Sequence, residues 1–151
     1  MARLLGKTLI AIFAVVLSAG SALANDVLMP FVFAGNQSGD VASVATDVKS
    51  KLKGAGFEIV GEYSPYAGAN IIIVTSEAQK AHAAKSEFGA YGAISRVAIT
   101  QNGDNVEVSY TNPVYMAAAY RMATDMADIR AKLEDALGAE MDYVSEKNLT
   151  A

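Results

Sequence analysis

Cysteine and tryptophan are absent from this sequence of 151 residues, which also has one histidine and three prolines. The missing cysteine excludes disulfides, thiol redox chemistry, cysteine nucleophiles and thiolate metal sites. A single histidine cannot supply the several ligands of a zinc site by itself. The fold must therefore be held together by burial of apolar side chains, without covalent cross-links.

Positive charge is also scarce. The chain has 12 Lys and Arg against 16 Asp and Glu, which gives a formal net charge of −4 at pH 7. Nucleic acids and anionic membrane surfaces are bound mainly through basic patches, so we expect neither as a partner. The length corresponds to one domain, and a chain of this size buries roughly two-thirds of its unfolded surface, enough for a real core.

The longest apolar run lies at the start of the chain. Basic residues precede the run over residues 8–17, and Ala22 and Ala24 follow it. That order is typical of a cleavable secretory signal, and the run is shorter than the roughly 20 residues that cross a bilayer. We expect residues 1–24 to be removed after Ala24 and the mature protein to enter the periplasm, free of the membrane. A retained anchor is the alternative.

The rest of the chain alternates between segments with strand and helix periodicity. Val44, Val48 and Leu52 recur at helical spacing. Asn102-Gly103 separates two segments of alternating apolar residues, a strong hairpin signal. The predicted elements are a strand (26–34), a helix (41–53), two strands (57–63 and 70–75), a helix (76–87), a hairpin (95–111), and a long helix from Pro113 to Leu137 that Gly138 closes.

This order, β-α-β-β-α-β-β-α, predicts an α+β fold in which helices cover one face of a mainly antiparallel sheet, a two-layer sandwich. The expected form is a ferredoxin-like β-α-β-β-α-β core extended by a hairpin strand and a long C-terminal helix. We expect a single domain over residues 25–138, followed by a polar C-terminal tail over residues 139–151 that is loosely held.

Three segments carry a resemblance to a known family. The stretches "LKGAGFEIVGEYSPY" and "RVAITQNGDNVEVSYTNP", followed by a long C-terminal helix, resemble the DUF302 family of small α+β domains. The resemblance covers residues 41–138. It implies an α+β sandwich that often pairs into homodimers, and it implies no activity, because the function of that family is unsettled.

Tyrosines at two strand ends are the candidate binding residues. Tyr63 and Tyr66 follow the second predicted strand, while Tyr110 and Tyr115 flank the junction of the last strand and the last helix. If both junctions lie at the same end of the sheet, the four phenols line one cleft. Asn112, at the start of the last helix, would face that cleft beside free N–H groups. The alternatives are half-buried tyrosines that cap the core edge and tyrosines at a dimer contact.

Methionine and histidine are the other candidates for chemistry. Met116, Met122 and Met126 raise the possibility of a Cu(I) site, since thioethers are soft ligands. However, Met122 and Met126 also continue the apolar stripe of the last helix, where methionine is ordinary core filling. His82 is expected at the rim of the second helix, either solvated or in a proton-transfer role for which no partner is evident.

No motif of nucleophilic catalysis is present: the chain has no G-x-S-x-G elbow. We therefore expect an exported, non-catalytic module that binds a small ligand or a protein partner as a homodimer, without a cofactor. The alternatives are a periplasmic enzyme of unknown reaction and a Met-based Cu(I)-binding protein.

Overall fold

A computed structural model of the chain describes residues 28–144. The predicted signal, its cleavage site and the end of the predicted tail (145–151) lie outside these residues. The described elements are, in chain order, β1 (Phe31–Gln37), α1 (Val41–Gly54), β2 (Glu58–Tyr63), β3 (Ala69–Thr75), α2 (Glu77–Ala83), a 3-10 turn (Gly89–Gly92), β4 (Ser95–Asn102), β5 (Asn105–Thr111), α3 (Pro113–Ala119), α4 (Ala127–Leu137) and β6 (Met141–Tyr143). None of the helices within this part of the chain is long and apolar enough to cross a membrane.

The strands form one antiparallel sheet in the order β2-β3-β4-β5-β1-β6. The predicted α+β class, a two-layer sandwich, is confirmed. The strand order departs from the ferredoxin-like arrangement, in which the first strand pairs directly with the third. Here the β4–β5 hairpin lies inside the sheet, between β3 and β1. The hairpin therefore widens the sheet at its centre instead of extending its edge.

The core lies between one face of the sheet and the helices. The inward residues of α1 are Val44, Ala45, Val48 and Leu52, the stripe that the helical spacing predicts. They pack against alternate residues of the central strands, such as Val97, Ile99 and Val108, each no more than 1% exposed. Because side chains alternate along a strand, the residues between them lie on the opposite face of the sheet. That opposite face becomes the site described below.

The hairpin joins neighbouring strands, as predicted from its Asn-Gly step. Asn102 pairs with Asn105, so the two loop residues are Gly103 and Asp104, one position later than expected. Gly103 has φ of +59°, whereas Asp104 does not have a positive φ. A two-residue loop with glycine first is the pattern of a type II′ turn, whose twist matches that of the flanking strands.

The prediction of one continuous C-terminal helix is wrong: the segment forms two helices, α3 and α4. Arg121 N–H donates to the carbonyl of Ala118, and Met122 N–H donates to that of Ala117, 2.8 Å away. With Arg121 at φ 51°, these bonds form a Schellman motif, which ends a helix. Such ends usually carry glycine at the left-handed position. Because arginine occupies that position here, no glycine marks the end of the helix in the sequence.

The break shortens the helices relative to the sheet. An unbroken helix over residues 113–137 would be about 37 Å long, at 1.5 Å per residue. The longest strand, β4, has 8 residues and spans roughly 27 Å. Both α3, with 7 residues, and α4, with 11, are shorter than that strand. The predicted apolar stripe survives the break, because Met126, Ile129 and Leu133 are all fully buried.

The expected loose tail begins instead with an edge strand. Phe31 pairs with Tyr143 and Phe33 with Met141, so β6 adds a sixth strand beside β1. Arg130 of α4 holds it from the helix side, with two hydrogen bonds of 2.7 and 2.8 Å to the carboxylate of Asp142. A segment of three residues is too short to show the alternation that predicts a strand. A partner on another element fixes their position.

Candidate functional site

The sheet face opposite the core is not covered by any helix within residues 28–144. Along β4 this face carries Arg96, Ala98 and Thr100, which alternate with the buried Val97 and Ile99. Cross-strand pairs extend the face over the neighbouring strands: Ile71 and Ser109 flank Ala98 on either side. The face is therefore a continuous surface of apolar and hydroxyl side chains.

A groove with a volume of about 410 Å³ runs across this face. Its floor carries small side chains, Ala98, Thr100 and Ser109, whereas large aromatic residues stand at both sides. Small residues in the middle and large ones at the sides of a sheet make the surface concave. The volume lies within the range of about 300–1,000 Å³ that is usual for small-molecule sites.

Aromatic rings form both walls of the groove. Tyr63 and Tyr66 stand at the β2 side with exposed fractions of 49% and 62%. At the other side, Phe31 and Tyr143 pack against each other with ring centroids 5.6 Å apart. Four strand spacings separate β2 from β1, about 19 Å, so the walls leave room for a ring-sized guest.

Among residues 28–144, Arg96 is the only cationic side chain that lines the groove. It is exposed, and among the described residues its guanidinium forms no ion pair with a carboxylate. Its backbone N–H donates to the hydroxyl oxygen of Thr111, 3.1 Å away, which leaves the Thr111 proton free to donate. The groove thus offers a positive charge beside hydroxyl donors on an otherwise apolar surface.

Two of the five predicted site residues are buried within the protein. Tyr110 is 1% exposed, and its hydroxyl donates to the carbonyl of Gly138; burial raises the pKa of this phenol. Asn112 is fully buried: its side chain accepts from the N–H of Val114 and donates to the carbonyl of Met29. Asn112 is the predicted N-cap of α3, and its side-chain hydrogen bonds are used within the chain.

The four tyrosines do not share a cleft. The β2–β3 turn that carries Tyr66 lies at the same end of the sheet as the β4–β5 turn, since Gln101 N–H donates to the carbonyl of Gly68. The β5–α3 junction lies at the other end, because β5 runs away from that turn. Tyr115, half-buried on α3, is thus separated from the groove. Tyr63 and Tyr66 line that groove, and Tyr110 borders it from β5 although its side chain is buried in the core.

The sequence reasoning missed Phe31, Arg96 and Tyr143 as groove residues. Phe31 and Tyr143 are more than 100 positions apart, and their pairing depends on β6, which carried no strand signal. Arg96 was in principle visible: it is the one charged residue in an alternating strand, at a position that must face away from Val97. What the sequence could not say was that this outward face stays uncovered.

His82 has partners that its sequence position did not reveal. Its Nδ1 lies 2.7 Å from Oγ1 of Thr124, and its Nε2 lies 2.9 Å from Oδ1 of Asp128. Thr124 also lines a separate cavity of about 300 Å³, which is bounded by α3, by the segment that follows α3 and by Leu28. The imidazole is half-buried at the rim of α2, where it connects this helix to the start of α4.

The environment of Asp128 follows from that contact. Partial burial raises the pKa of its carboxyl, but the hydrogen bond and the charge of His82 lower it, and the net pKa is below the ordinary value. Asp128, His82 and Thr124 thus form a hydrogen-bonded row of carboxylate, imidazole and hydroxyl. These are groups that general acid–base catalysis uses. No group of three or more His, Cys, Asp or Glu suited to a metal ion occurs within residues 28–144.

The methionines of the last helices pack inward, as the apolar stripe predicted. Met126 is fully buried and Met122 is partly buried against the core. Both sulfurs lie near Gly92 of the 3-10 turn: a Cβ placed there would overlap the sulfur of Met122 and would be in ordinary contact with that of Met126, 3.7 Å away. A larger residue at position 92 would therefore require the Met122 side chain to move.

The architecture matches a solved structure. The crystal structure of a DUF302 protein from Bacillus stearothermophilus, described as uncharacterized, superposes with a TM-score of 0.64 and 14% sequence identity. The match covers 72% of this chain and 96% of that chain. This chain has the DUF302 fold. No protein-family model matches the sequence, and no curated protein is similar to it in sequence. The DUF302 likeness thus rests on three-dimensional structure and confirms the resemblance at the level of fold.

Proposed function

We propose that this DUF302-fold protein is an exported, non-catalytic module that binds a small ligand in the groove on the uncovered sheet face. The observation that carries the proposal is the groove itself: about 410 Å³, with aromatic walls, on a face that no described helix covers. Contiguous apolar surface of this kind commonly marks a binding site. The absence of a catalytic sequence motif is consistent with a binding role.

Binding of an uncharged fluorescent probe, phenylnaphthylamine, tests the groove. We expect the wild-type protein to enhance its fluorescence saturably. The double variant Tyr63→Ala with Tyr66→Ala should weaken binding about tenfold or more, because each ring contact contributes roughly 0.5–1.5 kcal/mol. Both rings are exposed, so the melting temperature should change little.

Tyr115→Ala is the matched control, because it removes a tyrosine that does not line the groove. Its affinity for the probe should equal that of the wild type. Probe binding that is absent, or that is unchanged in the double variant, would show that the groove is not a ligand site. Export is checked separately: the intact mass of periplasmic protein should correspond to a chain that starts at Asn25.

A second candidate function rests on His82. The chain Thr124–His82–Asp128 would make the Thr124 hydroxyl a nucleophile, with His82 taking its proton and Asp128 orienting the ring. Thr124 lines its own cavity, where an ester could bind. Hydrolysis of p-nitrophenyl acetate that His82→Ala and Thr124→Val both abolish, in folded protein, would support an enzyme. A rate of hydrolysis equal to that measured without protein would contradict this enzymatic role.

A further inference from the structure

We infer that the groove selects an amphipathic anion: a small molecule with an aromatic or apolar body and a carboxylate or sulfonate group that pairs with Arg96. This inference rests on the proposed ligand-binding role of the same groove. The apolar walls account for the body of such a ligand, and the guanidinium accounts for its charge.

The first observation that supports this inference is the position of Arg96 in the sheet. Arg96 pairs with Ile73 of β3, and its backbone N–H is bonded to the side chain of Thr111 on β5, so its own strand lies at the centre of the sheet. A central strand holds its backbone rigidly from both sides. The stem of the arginine can lie along apolar surface while its guanidinium stays available in the groove.

The second observation concerns the carboxylates around Arg96. On the same face, the nearest acidic position along β5 is Glu107, four residues from Thr111 and therefore about 13 Å away along the strand. Glu107 accepts a hydrogen bond of 2.7 Å from the side-chain amide of Asn102. The two carboxylates of β2, Glu58 and Glu62, pair with lysines of the helix layer, Lys80 and Lys49 respectively. Arg96 therefore lacks an internal counter-ion within the described residues.

The third observation is that hydroxyl groups lie in the groove beside Arg96. Ser109 and Thr111 of β5 and Thr100 of β4 line the same groove as Arg96. A guanidinium presents planar donors that match the two oxygens of a carboxylate, and neighbouring hydroxyls can donate to the same group. An uncharged apolar ligand would leave this donor set unused. The net charge of the proposed mature chain is −6, since Arg3 and Lys7 leave with the signal (10 − 16). This charge opposes an anion only weakly at the groove, because charges beyond about 8 Å are largely screened at physiological ionic strength.

A pair of probes that differ only in charge tests this selectivity. Anilinonaphthalene sulfonate is phenylnaphthylamine with a sulfonate added. We expect the wild-type protein to bind the sulfonate more tightly than the uncharged probe. Arg96→Met should lower the preference for the sulfonate, measured as the ratio of its affinity to that of phenylnaphthylamine, about tenfold, the effect expected of a hydrogen bond to a charged group.

Lys132→Met is the control, because it removes the same charge from an exposed position on α4, in the other layer of the sandwich. It should change neither affinity. Thermal melts of the variants check that each is folded. Because Arg96 is exposed, its substitution should leave the fold intact.

The outcomes separate the two proposals. Binding of both probes with equal affinity, and no effect of Arg96→Met on their ratio, would overturn the anion inference and leave the binding module standing. Binding of neither probe would overturn both. If Arg96→Met changes the oligomeric state but not the affinity ratio, the face is a contact between copies of the chain, and the inference is also overturned.

Discussion

Two residues between α3 and α4 adopt the left-handed backbone conformation without being glycine. Arg121 has φ of 51° and Met126 has φ of 56°. For an L-residue this conformation is strained by roughly 1–2 kcal/mol. Met126 is held there by complete burial, whereas Arg121 is exposed and is held by the hydrogen bonds of the Schellman motif. The strain at Arg121 can therefore be relieved without loss of packing.

Arg121→Gly should stabilise the protein. Glycine adopts the left-handed conformation freely, which removes the strain, although the unfolded chain gains conformational entropy worth about 0.5–1 kcal/mol. We expect a net gain of about 0.5–1 kcal/mol in the free energy of unfolding, measured by urea denaturation. Ala118→Gly, inside α3, is the control and should lose about 1 kcal/mol. A loss of stability in Arg121→Gly would mean that the helix does not end at this residue.

At the scale of elements, ion pairs join the helix layer to both edges of the sheet. Lys49 of α1 lies 2.9 Å from the carboxylate of Glu62 on β2, to which Asn70 of β3 also donates. At the far edge, Arg130 of α4 holds β6 through Asp142. An edge strand has neighbours on only one side, so contacts with the helix layer supplement its pairing. Glu62 provides the clearest test, because its pKa responds to this contact.

The contribution of Glu62 should depend on pH. The hydrogen bond from Lys49 lowers the pKa of Glu62 below its ordinary value, against a smaller opposing effect of burial. A lowered pKa in the folded state means that the stabilisation is present above the unfolded pKa, about 4.3, and is lost as the pH falls through the folded value. Glu62→Gln should therefore cost up to about 1 kcal/mol at pH 7, since the pair is partly exposed.

Denaturant titrations from pH 7 to pH 2.5 measure this difference. The wild type and Glu62→Gln should converge as the pH falls below the unfolded pKa of about 4.3 and through the lower pKa of the folded state, where the carboxyl of the wild type becomes protonated. Asp135→Asn, an exposed position on α4, serves as the control and should show little difference at either end of the range. A constant difference between wild type and Glu62→Gln at all pH values would contradict an electrostatic origin.

At the scale of the whole molecule, a second exposed apolar surface lies away from the groove. It consists of Phe88, Tyr91 and Tyr120, which are 62%, 67% and 39% exposed. Tyr91 and Tyr120 are stacked, with ring centroids 5.5 Å apart. Exposed aromatic residues are enriched at protein contacts, and a two-fold dimer places the same patch of both copies together. We propose this aromatic patch as the contact of the expected homodimer.

Light scattering coupled to size-exclusion chromatography tests the dimer. The wild type should elute with twice the mass of the chain at micromolar concentration, and the variant Phe88→Ser with Tyr91→Ser should be a monomer. The groove variant Tyr63→Ala with Tyr66→Ala carries the same number of lost rings elsewhere and should stay dimeric. A monomeric wild type would refute self-association, and a dimeric patch variant would place the contact on another surface.

The local features of this protein were readable in the sequence. Helical spacing predicted α1 and the inward stripe of α4, alternation and an Asn-Gly step predicted the β4–β5 hairpin, and Asn112-Pro113 predicted the start of α3. These signals depend on interactions between residues close in the chain, such as caps, turns and side-chain periodicity. They sufficed for the α+β class and for the resemblance to DUF302 proteins.

The site depended on contacts between distant residues. The same alternation that predicts a strand is compatible with a covered or an uncovered outer face, so the groove could not be foreseen. Tyr110 turned inward and Tyr63 outward because the faces of β5 and β2 depend on register, and a bulge between Ile59 and Gly61 shifts the pairing of β2. His82 contacts Thr124 and Asp128 only because α2 packs beside the break between α3 and α4. Local sequence thus determined the elements, and tertiary packing decided which side chains share a surface.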